Sequence, residues 1–156
     1  MKFAPIVLFT YNRPIHTQKT LDALAMNPEA LESELYIFCD GPKSNADVDN
    51  LGQVNKVLEI INNEKRFKKV NLRISKKNKG LANSIITGVT EVVEKHGRVI
   101  VLEDDLETSP GFLKYMNDAL IFYEDNDKVM HISAYMYPHK QELPENQISD
   151  LKKQHK

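Results

Sequence analysis

Short apolar runs alternate along the chain with longer segments whose apolar residues recur every third or fourth position. An apolar run of about four to eight residues between polar or turn residues is typical of a strand in a sheet. Such runs predict strands at residues 5–9, 35–39, 70–75, 98–102 and 129–134. The run 70–75 alternates apolar and polar residues, which is typical of an exposed or edge strand. The run 98–102 is rich in β-branched residues, which favours a central strand covered on both faces.

The longer segments predict helices. In one of them, for example, the apolar residues that recur at the spacing of a single buried helix face are Val54, Val57, Leu58 and Ile61. Helices are predicted in this way at residues 16–26, 47–63, 85–96 and 110–126. Alternating strands and helices are typical of α/β proteins with a mostly parallel sheet, right-handed crossovers and helices on both faces. We therefore expect one such domain over residues 1–138, followed by a polar, irregular tail over residues 139–156.

The overall composition narrows the class of protein. The chain has 156 residues with a hydrophobic content of 41%, which suits one folded domain with a substantial core. Its formal net charge of -1 provides no overall attraction to nucleic acid or to an anionic membrane. The single cysteine, Cys39, lies in an apolar run and is expected to be buried. One cysteine allows neither a disulfide within the chain nor a cysteine-based zinc site.

The chain carries no pattern of a targeting or membrane segment. The first residues lack the long apolar stretch of a signal peptide, and no later run approaches the length of a membrane span. We therefore expect a cytoplasmic protein with no membrane span and no nucleic-acid partner. If the sheet has fewer strands than a complete domain of this class, it would leave apolar surface uncovered. A homo-oligomer, which would cover that surface, is therefore a further expectation.

Three consecutive acids, Glu103, Asp104 and Asp105, end the run 98–102. In open α/β sheets, ligands bind at the carboxyl ends of the strands, and clustered carboxylates repel one another unless a cation or sugar hydroxyls hold them. We interpret the acids as a site for a divalent metal and a ribose. The alternative is that they only favour the positive end of the helix predicted from Pro110.

Polar residues also follow the first two predicted strands. After the first, Tyr11 can stack on a base, Arg13 can pair with a phosphate, and Asn12 can hydrogen-bond to either. After the second, Asp40 can accept hydrogen bonds from the imide N–H of a uracil or from ribose hydroxyls. The alternative for both loops is a turn that needs Asn, Pro or Gly for its backbone geometry.

The lysine-rich segment 76–79 follows the third strand and precedes a helix, with Gly80 allowing close approach of the backbone. This arrangement suits an anionic group, although a surface turn explains it as well. Of the histidines near the fifth predicted strand, His131 is interpreted as a core residue. His139 is a candidate for contact with phosphate or metal.

The polar residues after the first four strands should meet at one edge of the sheet, where one ligand could touch them all. A nucleoside diphosphate fits this arrangement. Tyr11 and Asp40 would contact the base, Glu103 or Asp104 the ribose, and a metal on Asp105 the diphosphate.

Four segments together carry a resemblance to a known family: residues 5–14, 39–41, 78–84 and 103–105. In order and spacing they resemble the nucleotide-sugar-binding half of family 2-like glycosyltransferases of the GT-A fold, a Rossmann-like fold. They are also similar to bacterial sugar transferases of the hemolytic-protein-like type. The triplet 103–105 resembles the Glu-Asp-Asp variant of the DXD motif of that fold.

The resemblance implies transfer of a sugar from a nucleotide diphosphate donor, commonly a UDP-sugar, to a hydroxyl of a carbohydrate acceptor, with inversion. It implies Mn2+ or Mg2+ on Asp105, where the metal would neutralise the departing diphosphate. The residues expected to contact the donor are Thr10, Tyr11, Asn12, Arg13, Asp40, Lys79, Asn83, Glu103 and Asp104.

The sequence departs from the family after residue 134, where we expect an acceptor-binding half and find a short polar segment containing Glu142 and Glu145. The domain is therefore expected to be truncated on its C-terminal side, and the catalytic base is unidentified. Two other functions stay open. One is a non-catalytic nucleotide-binding or interaction module derived from a glycosyltransferase. The other is a phosphoacceptor domain, in which the acidic pair normally follows the first strand, where this chain has Tyr11.

Overall fold

The computed structural model describes residues 3–135. Strands and helices alternate along this part of the chain, with one 3-10 helix, Pro28–Glu32, before the second strand. The strands are β1 (Ile6–Thr10), β2 (Glu34–Cys39), β3 (Lys69–Ile74) and β4 (Ile100–Glu103). The helices are α1 (Pro14–Ala25), α2 (Val48–Asn63), α3 (Leu81–His96) and α4 (Phe112–Phe122).

All strand pairs are parallel, and the order of the strands is β3-β2-β1-β4. The chain moves from β1 outward to β3 and then returns to place β4 on the other side of β1. The predicted α/β class is therefore confirmed, and β1 marks the point where the strand order reverses. The prediction that residues 70–75 form an edge strand is also confirmed, because β3 lies at one edge.

Two apolar layers pack on opposite faces of the sheet, so the expectation of helices on both faces is confirmed. Ile6 and Leu8 of β1 are fully buried in a cluster with apolar residues of α1, α2 and α4. Val7 and Phe9 alternate with them and pack on the other face with Val92 of α3. Full burial of a side chain of this size contributes about 1.5–3 kcal/mol, so the central strand anchors both layers.

Local capping explains where two of the helices begin and end. The side chain of Asp47 accepts a hydrogen bond of 2.8 Å from the backbone N–H of Asn50 and so caps the start of α2. Gly97 ends α3 in the left-handed conformation, with φ of 77°, which glycine adopts without steric cost.

Cys39 is buried and free, as predicted, and burial raises the pKa of its thiol.

The prediction that residues 98–102 form a central strand covered on both faces is wrong. β4 is the second edge of the described sheet, and Val101 on it is 42% exposed. Ile100 and Leu102 are buried on the face covered by the larger cluster. The apolar run therefore has one covered face, because α3 packs over β1 and β2 and leaves Val101 half-open.

The prediction of a fifth strand at residues 129–134 is also wrong. This segment has no regular structure, and Met130 is 96% exposed. Ile132 packs against the larger apolar cluster, whereas His131 is exposed and is not the predicted core histidine. An apolar run does not form a strand unless a neighbouring backbone supplies the hydrogen bonds. The tail 139–156, with His139, Glu142 and Glu145, lies outside the described residues.

Within residues 3–135, no helix is long and apolar enough to cross a membrane.

Two helical glycines should respond in opposite ways to alanine. A methyl group on Gly88 of α3 would lie 2.8 Å from the ring of Phe9, whereas Gly52 of α2 has open space at the same position. We expect Gly88→Ala to destabilise the fold by about 1–3 kcal/mol through overpacking. Gly52→Ala should stabilise it by about 0.5–1 kcal/mol.

Urea unfolding followed by circular dichroism measures both free energies of unfolding. A Gly88→Ala variant that is no less stable than the unmodified protein would contradict the packing of α3 against Phe9, and a destabilised Gly52→Ala variant would contradict the open space at Gly52.

Candidate functional site

The loops that follow the four strands line one cleft of about 330 Å³ at the carboxyl edge of the sheet. The cleft lies beside the point where the strand order reverses, which is the usual ligand position in open α/β sheets. The predicted residues that the structure brings together here are Thr10, Tyr11, Asn12, Arg13, Asp40, Glu103 and Asp104. Their convergence follows from the parallel strands, because each loop leaves the sheet at the same edge.

A cavity of similar size, about 380 Å³, lies at the opposite, amino-terminal edge of the sheet, where Pro5, Gly97 and Arg98 line it. Parallel sheets do not usually place their ligands at this edge. The cleft at the carboxyl edge is therefore the better candidate.

The carboxylate of Asp40 joins the loop after β2 to the start of α3. It is 9% exposed, and it accepts hydrogen bonds from the backbone N–H groups of Gly41 at 2.9 Å, Lys79 at 2.9 and 3.1 Å, and Gly80 at 3.0 Å. Gly41 permits this arrangement, since a methyl group there would lie 2.6 Å from the backbone nitrogen of Lys77. The segment 40–41 is therefore a junction between two loops rather than an ordinary Asp-Gly turn.

Arg13 compensates the acids after β4. Its Nη1 donates a hydrogen bond of 2.8 Å to Oδ2 of Asp105 and lies 3.9 Å from Oδ1 of Asp104. The sequence suggested phosphate as the partner of Arg13, and in this structure the partner is Asp105. The helix that follows the acids, α4, begins at Phe112 and has no acid in its first turn. The alternative that the acids only favour the positive end of this helix stays a prediction.

Asp104 is the buried member of the triplet, with 8% of its surface exposed. Burial raises the pKa of its carboxyl group, and repulsion from Asp105 adds to this, against the opposing effects of Arg13 and the backbone N–H of Tyr11. Its own backbone carbonyl accepts a hydrogen bond of 3.0 Å from Oγ1 of Thr20, which holds the triplet against α1. A desolvated carboxylate in a cleft is relieved by hydroxyl donors from a ligand.

Two hydrogen bonds hold the side chain of Tyr11 in place, one to α2 and one to the loop between β2 and α2. Its hydroxyl donates a hydrogen bond of 3.0 Å to Oδ1 of Asn50 and accepts one of 3.4 Å from the backbone N–H of Lys43. The ring is thereby fixed as one wall of the cleft, as required for stacking on a planar ligand.

Lys79 and Asn83, which the sequence also suggested, do not line the cleft. Lys79 contributes its backbone N–H to Asp40, and it lines a neighbouring cavity of about 350 Å³ that shares Asp40 and Ser84 with the cleft. Asn83 is exposed, and its side-chain amide donates to the backbone carbonyl of Lys79.

Lys43, Asn78 and Ser84 line the cleft although sequence reasoning did not select them. The side chain of Asn78 donates a hydrogen bond of 2.9 Å to the backbone carbonyl of Gly41, which strengthens the same loop junction. Asn78 and Ser84 lie within the segment 78–84 that the family resemblance had already marked. Lys43 had no such signal, because the short segment around it lacks the glycines of a phosphate loop.

Across residues 3–135, no group of three or more His, Cys, Asp or Glu side chains is arranged to hold a metal ion. Asp105 offers a single carboxylate, 44% exposed, beside the cleft. Mg2+ is usually bound by one or two carboxylates together with substrate phosphates and waters. The donor set therefore fits a metal that is held jointly with a diphosphate and does not fit one held by the protein alone.

Replacing Asp40 with asparagine should weaken the loop junction. The asparagine side chain would offer one acceptor oxygen and would turn its NH2 group towards backbone N–H groups that now donate to the carboxylate. Each buried N–H left without an acceptor costs about 1–3 kcal/mol. We expect faster hydrogen exchange at Lys79 and Gly80 and a lower free energy of unfolding for Asp40→Asn.

The charge-matched control is Asp125→Asn. Asp125 is exposed, and its neighbour Glu124 lines the cavity at the opposite edge of the sheet. This control should change stability by less than about 0.5 kcal/mol. If exchange at the amides of Lys79 and Gly80 is the same in both variants, the Asp40 carboxylate does not hold the junction.

Comparison with known proteins agrees with this architecture. The crystal structure of S. aureus TarS superimposes on the chain with a TM-score of 0.55 and 20% sequence identity, covering 80% of this chain and 20% of TarS. The chain thus spans about a fifth of the length of that protein, and the likeness supports the predicted fold. No curated protein matches the chain.

The sequence itself matches the model of the GNT-I family over residues 1–151, nearly its whole length. A glycosyltransferase was expected from the sequence, and this match confirms the expectation at the level of the family. The chain belongs to the GNT-I family of glycosyltransferases.

Proposed function

We propose that the cleft binds a nucleotide-diphosphate sugar, most simply a UDP-sugar, and that the chain supplies the donor site for transfer of the sugar to a carbohydrate hydroxyl with inversion. One observation carries this proposal. The loops after all four parallel strands meet in a single cleft that ends at the acids of β4. Membership of the GNT-I family supports it.

The charge and hydrogen-bonding capacity of the lining residues suggest where each part of the donor would bind in the cleft. The ring of Tyr11 offers a face for the base, and Asp40 lines the same cleft at the loop junction. Ribose hydroxyls would donate to Asp104 and relieve its desolvation, while Glu103 is exposed at the end of β4 for contact with ribose or sugar. Each assignment uses a group whose charge or hydrogen-bonding capacity complements that part of the ligand.

Asp105 would hold Mn2+ or Mg2+ together with the diphosphate. When bound, the ion supplies positive charge that stabilises the departing diphosphate. The protein contributes the carboxylate, and Arg13 contributes a second positive charge on the same side of the cleft.

An inverting transfer also needs a carboxylate or another base to deprotonate the acceptor hydroxyl. We assign this role to none of the residues from 3 to 135. If the protein binds nucleotide sugars but neither transfers nor hydrolyses any of them, the alternative of a non-catalytic binding module is favoured.

Asp105→Ala should lose the metal dependence of nucleotide binding. We expect UDP to bind the unmodified protein at least about tenfold more tightly with Mn2+ than with a chelator, since Asp105 would hold the ion together with the diphosphate. The variant should show little difference between the two conditions. Isothermal titration calorimetry measures these affinities, and Asp125→Ala is the matched control.

Equal metal dependence in Asp105→Ala and the unmodified protein would remove Asp105 from the metal site. Absence of UDP binding under every condition would refute the donor-site proposal itself.

A further inference from the structure

Arg13 lies beside Asp104 and Asp105, the two acids that follow β4. Its Nη1 is 2.8 Å from Asp105, and the two side chains are 54% and 44% exposed. Arg13 also lines the cleft, close to where the diphosphate would lie under the proposed function. It can therefore pair either with the acid or with a ligand.

The ion pair between Arg13 and Asp105 is exposed to solvent and is therefore easily broken. Exposed ion pairs gain little from their attraction because water screens the charges and the side chains lose freedom. The guanidinium has five N–H donors in a fixed fork that matches phosphate oxygens bidentately. A diphosphate would thus be a better partner for Arg13 than the single carboxylate oxygen it contacts now.

Under the proposed function, a metal ion would compete with Arg13 for Asp105. Before a donor binds, an ion at this carboxylate must displace the guanidinium and then remain beside its positive charge. Both effects weaken binding of the ion alone. Once Arg13 pairs with a diphosphate, the negative charge of the diphosphate reduces the repulsion between the guanidinium and the ion. The carboxylate of Asp105 is then no longer paired with Arg13.

We propose that Arg13 couples the two ligands of the site: it occupies Asp105 until a nucleoside diphosphate draws it away, and so makes metal binding depend on the donor. The inference rests on the proposed function and adds to it that binding of the metal is regulated by binding of the donor. Metal and nucleoside diphosphate bind with positive cooperativity, and part of that cooperativity comes from the release of Arg13. By linkage, each ligand raises the affinity of the other by the same factor.

Lys19 of α1 provides a matched control, because it pairs with another acid of the loop after β4. Its Nζ lies 3.2 Å from Oε1 of Glu107, and both side chains are more than half exposed. Lys19 does not line the cleft, so its removal takes away a nearby positive charge without freeing Asp105.

The test measures the binding of each ligand with and without the other in the unmodified protein, Arg13→Met and Lys19→Met. The loss of the electron paramagnetic resonance signal of free Mn2+ reports metal binding, and calorimetry reports UDP binding. We expect Arg13→Met to bind Mn2+ alone about three- to tenfold more tightly, because its Asp105 is free and the competing charge is gone. The factor by which UDP strengthens Mn2+ binding should fall by a similar amount.

Without metal, UDP should bind Arg13→Met at least about tenfold more weakly, since a charged bidentate partner is lost. Lys19→Met should leave all of these affinities within about twofold of the unmodified protein. Arg13→Lys keeps the charge but loses the guanidinium fork, so it should retain only part of the coupling. It serves as the second variant if Arg13→Met does not fold.

The coupling role is refuted if Arg13→Met binds Mn2+ alone no more tightly than the unmodified protein and shows the same cooperativity with UDP. If Arg13→Met does not fold, the coupling role is refuted when Arg13→Lys shows the same cooperativity and the same affinity for Mn2+ alone as the unmodified protein. A different result would refute the proposed function and the coupling together: failure of the unmodified protein to bind UDP with or without Mn2+.

Discussion

The four strands of the described sheet run in the same direction, and the rest of the site depends on this constraint. Each strand delivers its following loop to one edge, so residues far apart in the sequence become neighbours. Arg13 and Asp105 are separated by 92 positions and form an ion pair, because β1 and β4 are adjacent parallel strands. A sheet of mixed direction would have sent one of these loops to the opposite edge.

Electrostatics then decides what such an edge can bind. Three acids in succession would repel one another, and Arg13 offsets part of that charge from the neighbouring loop. Burial raises the pKa of Asp104, whereas Asp105 remains half-exposed beside the arginine. The site therefore holds one acid suited to hydroxyl groups and one suited to a cation. This division of roles fits a donor that carries both a ribose and a diphosphate.

Much of the fold could be predicted from sequence because helix and strand patterns are local. The predicted helix 47–63 corresponds to α2 at Val48–Asn63, where Asp47 caps the helix and apolar spacing defines its buried face. The edge position of β4 and the irregular segment 129–134 could not be predicted, because both depend on which backbone lies alongside. The convergence of the loops followed from parallel topology, whereas the pairing of Arg13 with Asp105 and the bonds of Asp40 to residues 79 and 80 required coordinates.

A crystal structure of the protein with UDP and Mn2+ would show whether the cleft holds the nucleotide and whether Arg13 changes partner. We expect the base beside Tyr11, the ribose on Asp104, the metal on Asp105, and the guanidinium of Arg13 moved from Asp105 to a phosphate oxygen. A nucleotide bound at another edge of the sheet would contradict the assignment of the cleft. A nucleotide in the cleft with Arg13 still paired to Asp105 would contradict the exchange of partners on which the account of metal binding relies.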